Sequence, residues 1–361
     1  MKIDWTDQPG DVRPGEALDV ARLEPYLHKQ LPDLSGSLTI RQFPSGFSNL
    51  TYLIQVGTEE FVLRRPPFGV NIKTAHDMGR EYTILSHLRR VYQKAPRALF
   101  YCDDETVLGG PFYVMERVRG VILRTVIPEA MIPPPALMRR IADSFIDNLV
   151  ELHAVDYQAA GLGNLGRPAG YVQRQIEGWA RRYQQARTDD LPELERVSAW
   201  LAEQALPEAG AALIHNDYKY NNLILDVNDW PRILAVLDWE MATLGDPLMD
   251  VGTMLGYWIE PDDPPMMQTL RFSPTMLPGN PSREALVERY IRQSGRDIPH
   301  LVFYYVYGVF KLAVIIQQIY RRYKLGFTQD ARFAHLDQEV RLCGQIAVQA
   351  IEKKRIDRLF E

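Results

Sequence analysis

The hydrophobic period of the chain changes as it is read from the N-terminus, and the changes divide it. Residues 1–16 are polar and rich in proline and glycine, which predicts an extended arm. Asp19 to Gln30 sets Leu23, Tyr26 and Leu27 at helical spacing. From Leu38 the period falls to two. Leu38–Phe43, Leu50–Val56 and Glu60–Arg64 are short β-branched or aromatic runs divided by turn residues, as in an antiparallel meander. A helix over Asp77–Tyr92 and strands near Ala98–Cys102 and Phe112–Arg117 complete this first part.

After Gly120 helical spacing takes over. Pro133, Pro134 and Pro135 give a sharp start to a helix over Ala136–Ala154, followed by helices over Ala169–Gln185 and Leu194–Ala205. A β-rich island interrupts them at Ala212–His215, Leu223–Asp226 and Ile233–Leu237, and two long helices, about His300–Lys324 and Asp330–Lys354, close the chain. The expected class is α+β. A small lobe with an antiparallel sheet and a helix spans residues 1–116, and a larger, mainly helical lobe spans 117–361.

Composition narrows the partners. The 361 residues carry a net charge of −5, so no basic footprint for nucleic acid is expected. Two cysteines, Cys102 and Cys343, make neither a disulfide framework nor a cysteine metal site, which fits a cytoplasmic protein. The N-terminus has acidic residues where a secretory signal has an apolar run. Leu301–Ile319, the most apolar stretch, is broken by Lys311 and two glutamines and reads as a buried helix, so no membrane partner is expected.

The chemistry concentrates in Leu213-Ile-His-Asn-Asp-Tyr-Lys-Tyr-Asn-Asn-Leu-Ile-Leu225 and Ile233-Leu-Ala-Val-Leu-Asp-Trp-Glu240. Leu223–Val227 runs outward, residues 228–231 turn, and Ile233–Leu237 returns, so Asn222 and Asp238 meet at the open end of a hairpin. Asp217 lies just before that end. Asn222 and Asp238 offer the hard oxygen ligands that magnesium takes, and Asp217 is free to accept a hydrogen bond from an incoming hydroxyl. Taken singly, such residues are also caps and turn formers, and His215 is also a packed core histidine. The ordered combination favours chemistry.

His215-Asn-Asp-Tyr-Lys-Tyr-Asn-Asn222 resembles the catalytic loop of kinase-like enzymes, and Asp238-Trp-Glu240 stands where these have Asp-Phe-Gly. With Gly245-Asp-Pro-Leu-Met-Asp250, the wording is most similar to the aminoglycoside phosphotransferase and choline kinase family, in particular to the kinase-like domain fused to some acyl-CoA dehydrogenases. The resemblance runs from about residue 35 onward. It implies a protein kinase-like fold that uses ATP and Mg2+. Asp217 would orient or deprotonate the acceptor hydroxyl, Asn222 and Asp238 would hold the metal, and His215 would brace the loop.

The same resemblance places Pro44-Ser-Gly-Phe-Ser-Asn49 over the phosphates, where Gly46 permits close approach and Ser48 and Asn49 can donate. Arg64 stands in the position of the phosphate-binding lysine, with Glu81 on the following helix as its ion-pair partner. Backbone groups from Glu116 to Val118 would meet adenine. Asp246 reads as a helix cap and Asp250 as a structural brace.

Few residues separate Asp238 from the helix that starts at Asp246, which leaves no room for a protein-docking segment and points to a small-molecule hydroxyl acceptor. Lys311, Arg321, Arg322 and Lys324 suggest an anionic acceptor, a hydroxy acid or a hydroxyacyl-CoA, and argue against a polycationic aminoglycoside. A nucleotide-binding pseudokinase and a true aminoglycoside kinase are the alternatives.

Overall fold

A computed structural model describes residues 6–44, 49–68, 77–204, 206–328 and 330–361. Its first part is a five-stranded sheet: β1 Leu38–Gln42, β2 Leu50–Val56, β3 Glu59–Arg65, β4 Ala98–Cys102 and β5 Phe112–Glu116. The order is β1-β2-β3-β5-β4, with every neighbour antiparallel. Alternation along the strands decides what each face buries. Tyr52, Ile54, Val56 and Leu63 join Leu23 and Leu27 of α1 (Val20–Gln30), whose first turn is capped by Asp19. Leu53 and Val62 face the other way, toward α2 (Met78–Leu88) and the rest of the molecule. Arg64 shares the second face and Arg65 the first. Arg65 donates to the Leu108 carbonyl at 3.0 Å, beyond the short α3 (Glu105–Leu108).

The remainder is helical around a small β element. The helices are α4 Pro135–His153, α5 Tyr171–Ala186, α6 Pro192–Glu203, α7 Pro247–Gly256, α8 Arg283–Ser294, α9 Leu301–Lys324 and α10 Leu336–Lys353. Strands β6 (Ala212–Ile214) and β9 (Thr243–Gly245) pair with each other, and β7 (Leu223–Leu225) pairs with β8 (Ile233–Val236). Helix α9 is the central post, packed against α7 and α10 and flanked by α5 and α6. By length and composition alone it could cross a membrane, yet most of it is enclosed by those neighbours.

Where elements differ from the periodicity, the reason is local. Helix α10 begins at Leu336 instead of Asp330, because Asp330 caps a separate 3-10 turn over Ala331–Phe333. Helix α8 was not expected, although Ser282 at its N-cap and the left-handed Gly295 at its end are ordinary helix punctuation. Strand β9 is three residues long and has no period to read.

The link from sheet to helices runs through Gly120 and Val121. Val121 exchanges hydrogen bonds with Leu225 at 2.9 and 2.8 Å, and a Cβ at Gly120 would lie 2.3 Å from the Leu225 carbonyl oxygen. The N-terminal arm lies along this link: Asp7 N–H donates to the Gly120 carbonyl at 3.1 Å.

Helices α7 and α9 touch through glycines. A Cβ on Gly308 would come 2.0 Å from the Gly252 carbonyl oxygen, a clash with backbone that no rotamer relieves. Gly308→Ala is expected to lower unfolding stability by about 3 kcal/mol or to prevent soluble expression. Denaturant unfolding of the purified variant checks this, and an unchanged midpoint would contradict the packing described.

Candidate active site

The hairpin end forms as the residue order dictates. Leu223 pairs with Val236, and Leu237 N–H donates to the Asn222 carbonyl at 2.8 Å, so Asn222 and Asp238 emerge side by side. His215 joins the preceding loop to them. Its Nδ1 accepts from Asp217 N–H at 3.2 Å and its Nε2 donates to the Leu237 carbonyl at 2.9 Å, an arrangement that requires the neutral Nε2–H tautomer. Asp250 of α7 accepts from the backbone N–H of His215 at 2.7 Å and of Asn216 at 2.8 Å, with His153 at 3.2 Å from the same carboxylate. Burial would raise the Asp250 pKa, but these donors and the neighbouring imidazoles hold it below the usual carboxylate value. Both Asn216 and Asp238 take the left-handed conformation, with φ of 65° and 68°. A non-glycine residue keeps that geometry only where its surroundings enforce it.

Asp217 was expected to be free, and it is not. Lys219 Nζ lies 2.9 Å from each carboxylate oxygen, Asn222 Nδ2 donates at 2.9 Å, and the Tyr257 hydroxyl donates at 2.7 Å. Burial alone would raise its pKa. The Lys219 charge and hydrogen bonds, then Tyr257, pull it below the ordinary aspartate range. The carboxylate is therefore kept ionised, and any further donor must share or displace one of these. Lys219 could have been noticed two residues after Asp217. Tyr257, at the end of α7, carries no local signal.

Arg64 is enclosed. Its Nε lies 3.5 Å from Glu81, the expected partner, and its NH2 donates to Asp238 at 2.9 Å, a bond the sequence did not suggest. Burial opposes the guanidinium charge, and Glu81 first, with Asp238 after it, more than restores it. Two further side chains cross to the same stretch of chain. Asn49 donates to Glu240 at 2.6 Å, and Arg80 donates to the carbonyls of Glu240 at 3.2 Å and Ala242 at 2.5 Å. Burial, with Asp238 beside it, pushes Glu240 up to about 8.

A cavity of about 520 Å³ runs along these groups. At one end it meets Glu116, Val118 and Ile122, and Asp7 of the arm also reaches it. In the middle it meets Asn49, Arg64, Asp217, Asn222 and Asp238. At the far end Leu312, Ile315, Ile316 and Ile319 of α9 form an aliphatic wall with Phe333 and Leu336, beside the Glu339 carboxylate of α10. Gly46 and Ser48 lie outside the described residues. The backbone N–H of Glu116 is already used, donating to the Arg97 carbonyl at 2.9 Å. The basic run of α9 does not reach this cavity: Lys324 pairs with Asp189 at 2.6 Å, and Lys311 turns the other way to donate to the Asn216 carbonyl at 2.7 Å. That run was expected beside the cleft, and helical geometry carries it past.

Among the described residues no three His, Cys, Asp or Glu side chains are grouped to hold a metal by themselves. Asn222 spends its NH2 on Asp217, which leaves its amide oxygen to act as a ligand. One amide oxygen and one carboxylate fit magnesium, which draws its other ligands from phosphate and water.

Residues 39–294 match the model of the phosphotransferase enzyme family (APH). The chain is 34% identical over 336 residues to acyl-CoA dehydrogenase family member 11 of Rattus norvegicus, covering 90% of this chain and 42% of that protein. It thus spans less than half the length of the curated relatives it matches. A putative aminoglycoside phosphotransferase from Ralstonia eutropha superposes with a TM-score of 0.78 at 29% identity, over 93% of this chain and 99% of the other. A choline kinase from Cryptosporidium parvum superposes with a TM-score of 0.61 at 14% identity, over 95% and 100% of the two chains, a likeness of fold. The expected kinase-like fold is the one observed.

Lys311 gives a test of the site's electrostatics. Burial pushes its pKa down from 10.5 to about 8. Between those values the unfolded chain binds more protons than the folded one, so the penalty for charging Lys311 is full below pH 8 and disappears as pH rises through the window. Relative to Lys311→Met, the wild type should gain up to about 1.4 kcal/mol of unfolding stability per pH unit within that window. Urea unfolding of both proteins at pH 7.5 and 9.5, on the order of one window width apart, reads the difference, and a flat difference would refute it.

Proposed function

The chain belongs to the phosphotransferase enzyme family, and on that premise we propose that it moves the γ-phosphate of ATP, with magnesium, to a hydroxyl on a small molecule with an apolar body. The observation that carries this reading is the convergence of Asp217, Asn222, Asp238 and Arg64 on one cavity whose far wall is aliphatic.

Asp217 holds the acceptor hydroxyl by accepting its hydrogen bond and takes the proton as the oxygen bonds to phosphorus and the bond to the departing ADP oxygen breaks. Lys219, beside that carboxylate, places a positive charge where the transferring group carries negative charge. His215 and Asp250 keep the loop from moving while this occurs. Arg64 offers its remaining guanidinium N–H groups to phosphate oxygens, braced from behind by Glu81. Magnesium, held by Asn222 and Asp238, would neutralise phosphate charge. Because this chemistry demands positioning above all, buried hydrogen bonds suit it better than flexible groups.

Leu312, Ile315, Ile316 and Ile319 support an acceptor that buries hydrocarbon beside its hydroxyl, and the similarity to part of an acyl-CoA dehydrogenase family member makes hydroxy acids and hydroxyacyl-CoA compounds the first to try. A pseudokinase reading has two motives, Arg64 in the lysine position and the single glycine of the 44–49 loop. Against it, Arg64 is aimed at Asp238 and its charge is sustained.

Asp217→Asn should lower ATP-dependent phosphorylation of the acceptor by roughly 10²-fold or more, as for loss of a positioned base. Product formation across hydroxyacyl and aminoglycoside panels is the assay: turnover of aminoglycosides alone would overturn the acceptor class, and negligible turnover of every acceptor by wild type and variant alike would favour the pseudokinase. Tyr257→Phe removes a donor that lowers the Asp217 pKa, so the acid limb of its kcat/KM profile should move to higher pH. An unmoved limb would show that Asp217 is not the group titrating.

A further inference from the structure

A second cavity, of about 370 Å³, opens on the other side of the 215–217 loop. It meets the first at Met241, which lines both. Four cations border it: Arg167, Arg174, Arg182 and the buried Lys311. No lining residue is acidic, and among the described residues none of the four forms a carboxylate ion pair. This is unusual in a chain with 46 acidic and 41 basic residues, where Arg64, Arg117, Arg124, Arg283 and Arg289 all have carboxylate partners.

The cations are also arranged. Arg174 and Arg182 are eight residues apart on α5 and share one helix face, with Gly178 between them. A Cβ at Gly178 would lie only 3.2 Å from the Arg182 guanidinium, so the glycine makes room for that group against the helix. The Arg182 guanidinium stacks 4.7 Å from the Trp179 ring centre, and Arg174 is anchored on the carbonyls of Arg167 and Ala169. Lys311 forms the floor, donating to both oxygens of Asn216 at 2.7 and 3.2 Å.

We propose that this second cavity binds a phosphate-bearing organic anion. Gathered like charges without a counter-charge repel each other, and planar guanidinium pairs grip phosphate oxygens bidentately, whereas a lone carboxylate would engage only part of the set. The anion would lie across Met241 from the main cleft, with Lys311 linking it to Asn216, the residue before Asp217. The phosphate could belong to a separate effector or to the charged end of an acceptor whose hydroxyl reaches Asp217, and the chemistry at the cavity is the same for both.

The test uses the full chain at low ionic strength, with sodium pyrophosphate in EDTA as probe and calorimetry as readout. Wild type should bind it at a site that K219Q in the main cleft retains, and R174Q/R182Q should bind it there at least about tenfold more weakly. Arg182→Gln alone, on an exposed side chain, serves if the double variant folds poorly. Equal affinity in wild type and R174Q/R182Q, absence of binding to wild type, or loss in K219Q alone would overturn the proposal. Kinetics separate the two sources. A raised KM in Arg182→Gln only for phosphate-bearing acceptors assigns the phosphate to the acceptor, and an equal KM for phosphate-free acceptors with altered pyrophosphate response assigns it to an effector.

Discussion

A buried carboxylate with both oxygens engaged underlies the site. Asp250 has no exposed surface, and a charge in that position is tolerable only because two backbone N–H groups and His153 surround it. Those two N–H groups belong to His215 and Asn216, so the same bonds that keep the charge satisfied hold Asn216 at positive φ. From that fixed point His215 reaches the hairpin end and Asp217 is aimed into the cavity. If Asp250 lost its charge, the loop would lose the reason for its shape.

The second organising region is the short backbone stretch from Asp238 to Ala242. Arg64, Asn49 and Arg80 come from three different elements of the sheet lobe and all end there. Asp238 is thereby set from two directions, by the hairpin beneath it and by side chains of the other lobe above it. This explains why a left-handed aspartate is retained: its position is over-determined.

Much of this was legible in the residues because it is local. The strands Leu50–Val56 and Ala98–Cys102 follow from period and turn residues, and the meeting of Asn222 with Asp238 follows from equal hairpin arms. The Arg64–Glu81 contact came from resemblance and position. What escaped was contact between distant segments. Tyr257 reaches Asp217 across 40 residues and Asn49 reaches Glu240 across 191, and neither pairing leaves a trace in spacing. Charge misled in one place: Arg321, Arg322 and Lys324 are close to the cleft in sequence terms, but helical rotation and the Asp189 partner take the end of α9 elsewhere.

Helix α9 serves three neighbours at once. Gly308 seats it on α7, Leu312, Ile315, Ile316 and Ile319 line one cavity, and Lys311 floors the other. If the aliphatic wall receives the acceptor, as proposed, acceptor preference is not a freely evolvable trait. A substitution that rotates or shifts α9 to admit a bulkier compound also displaces the seat of Asp250 and the contact with Asn216. Divergence toward new acceptors is therefore channelled into side-chain exchanges at positions such as Ile316 and Ile319, with the helix axis held still.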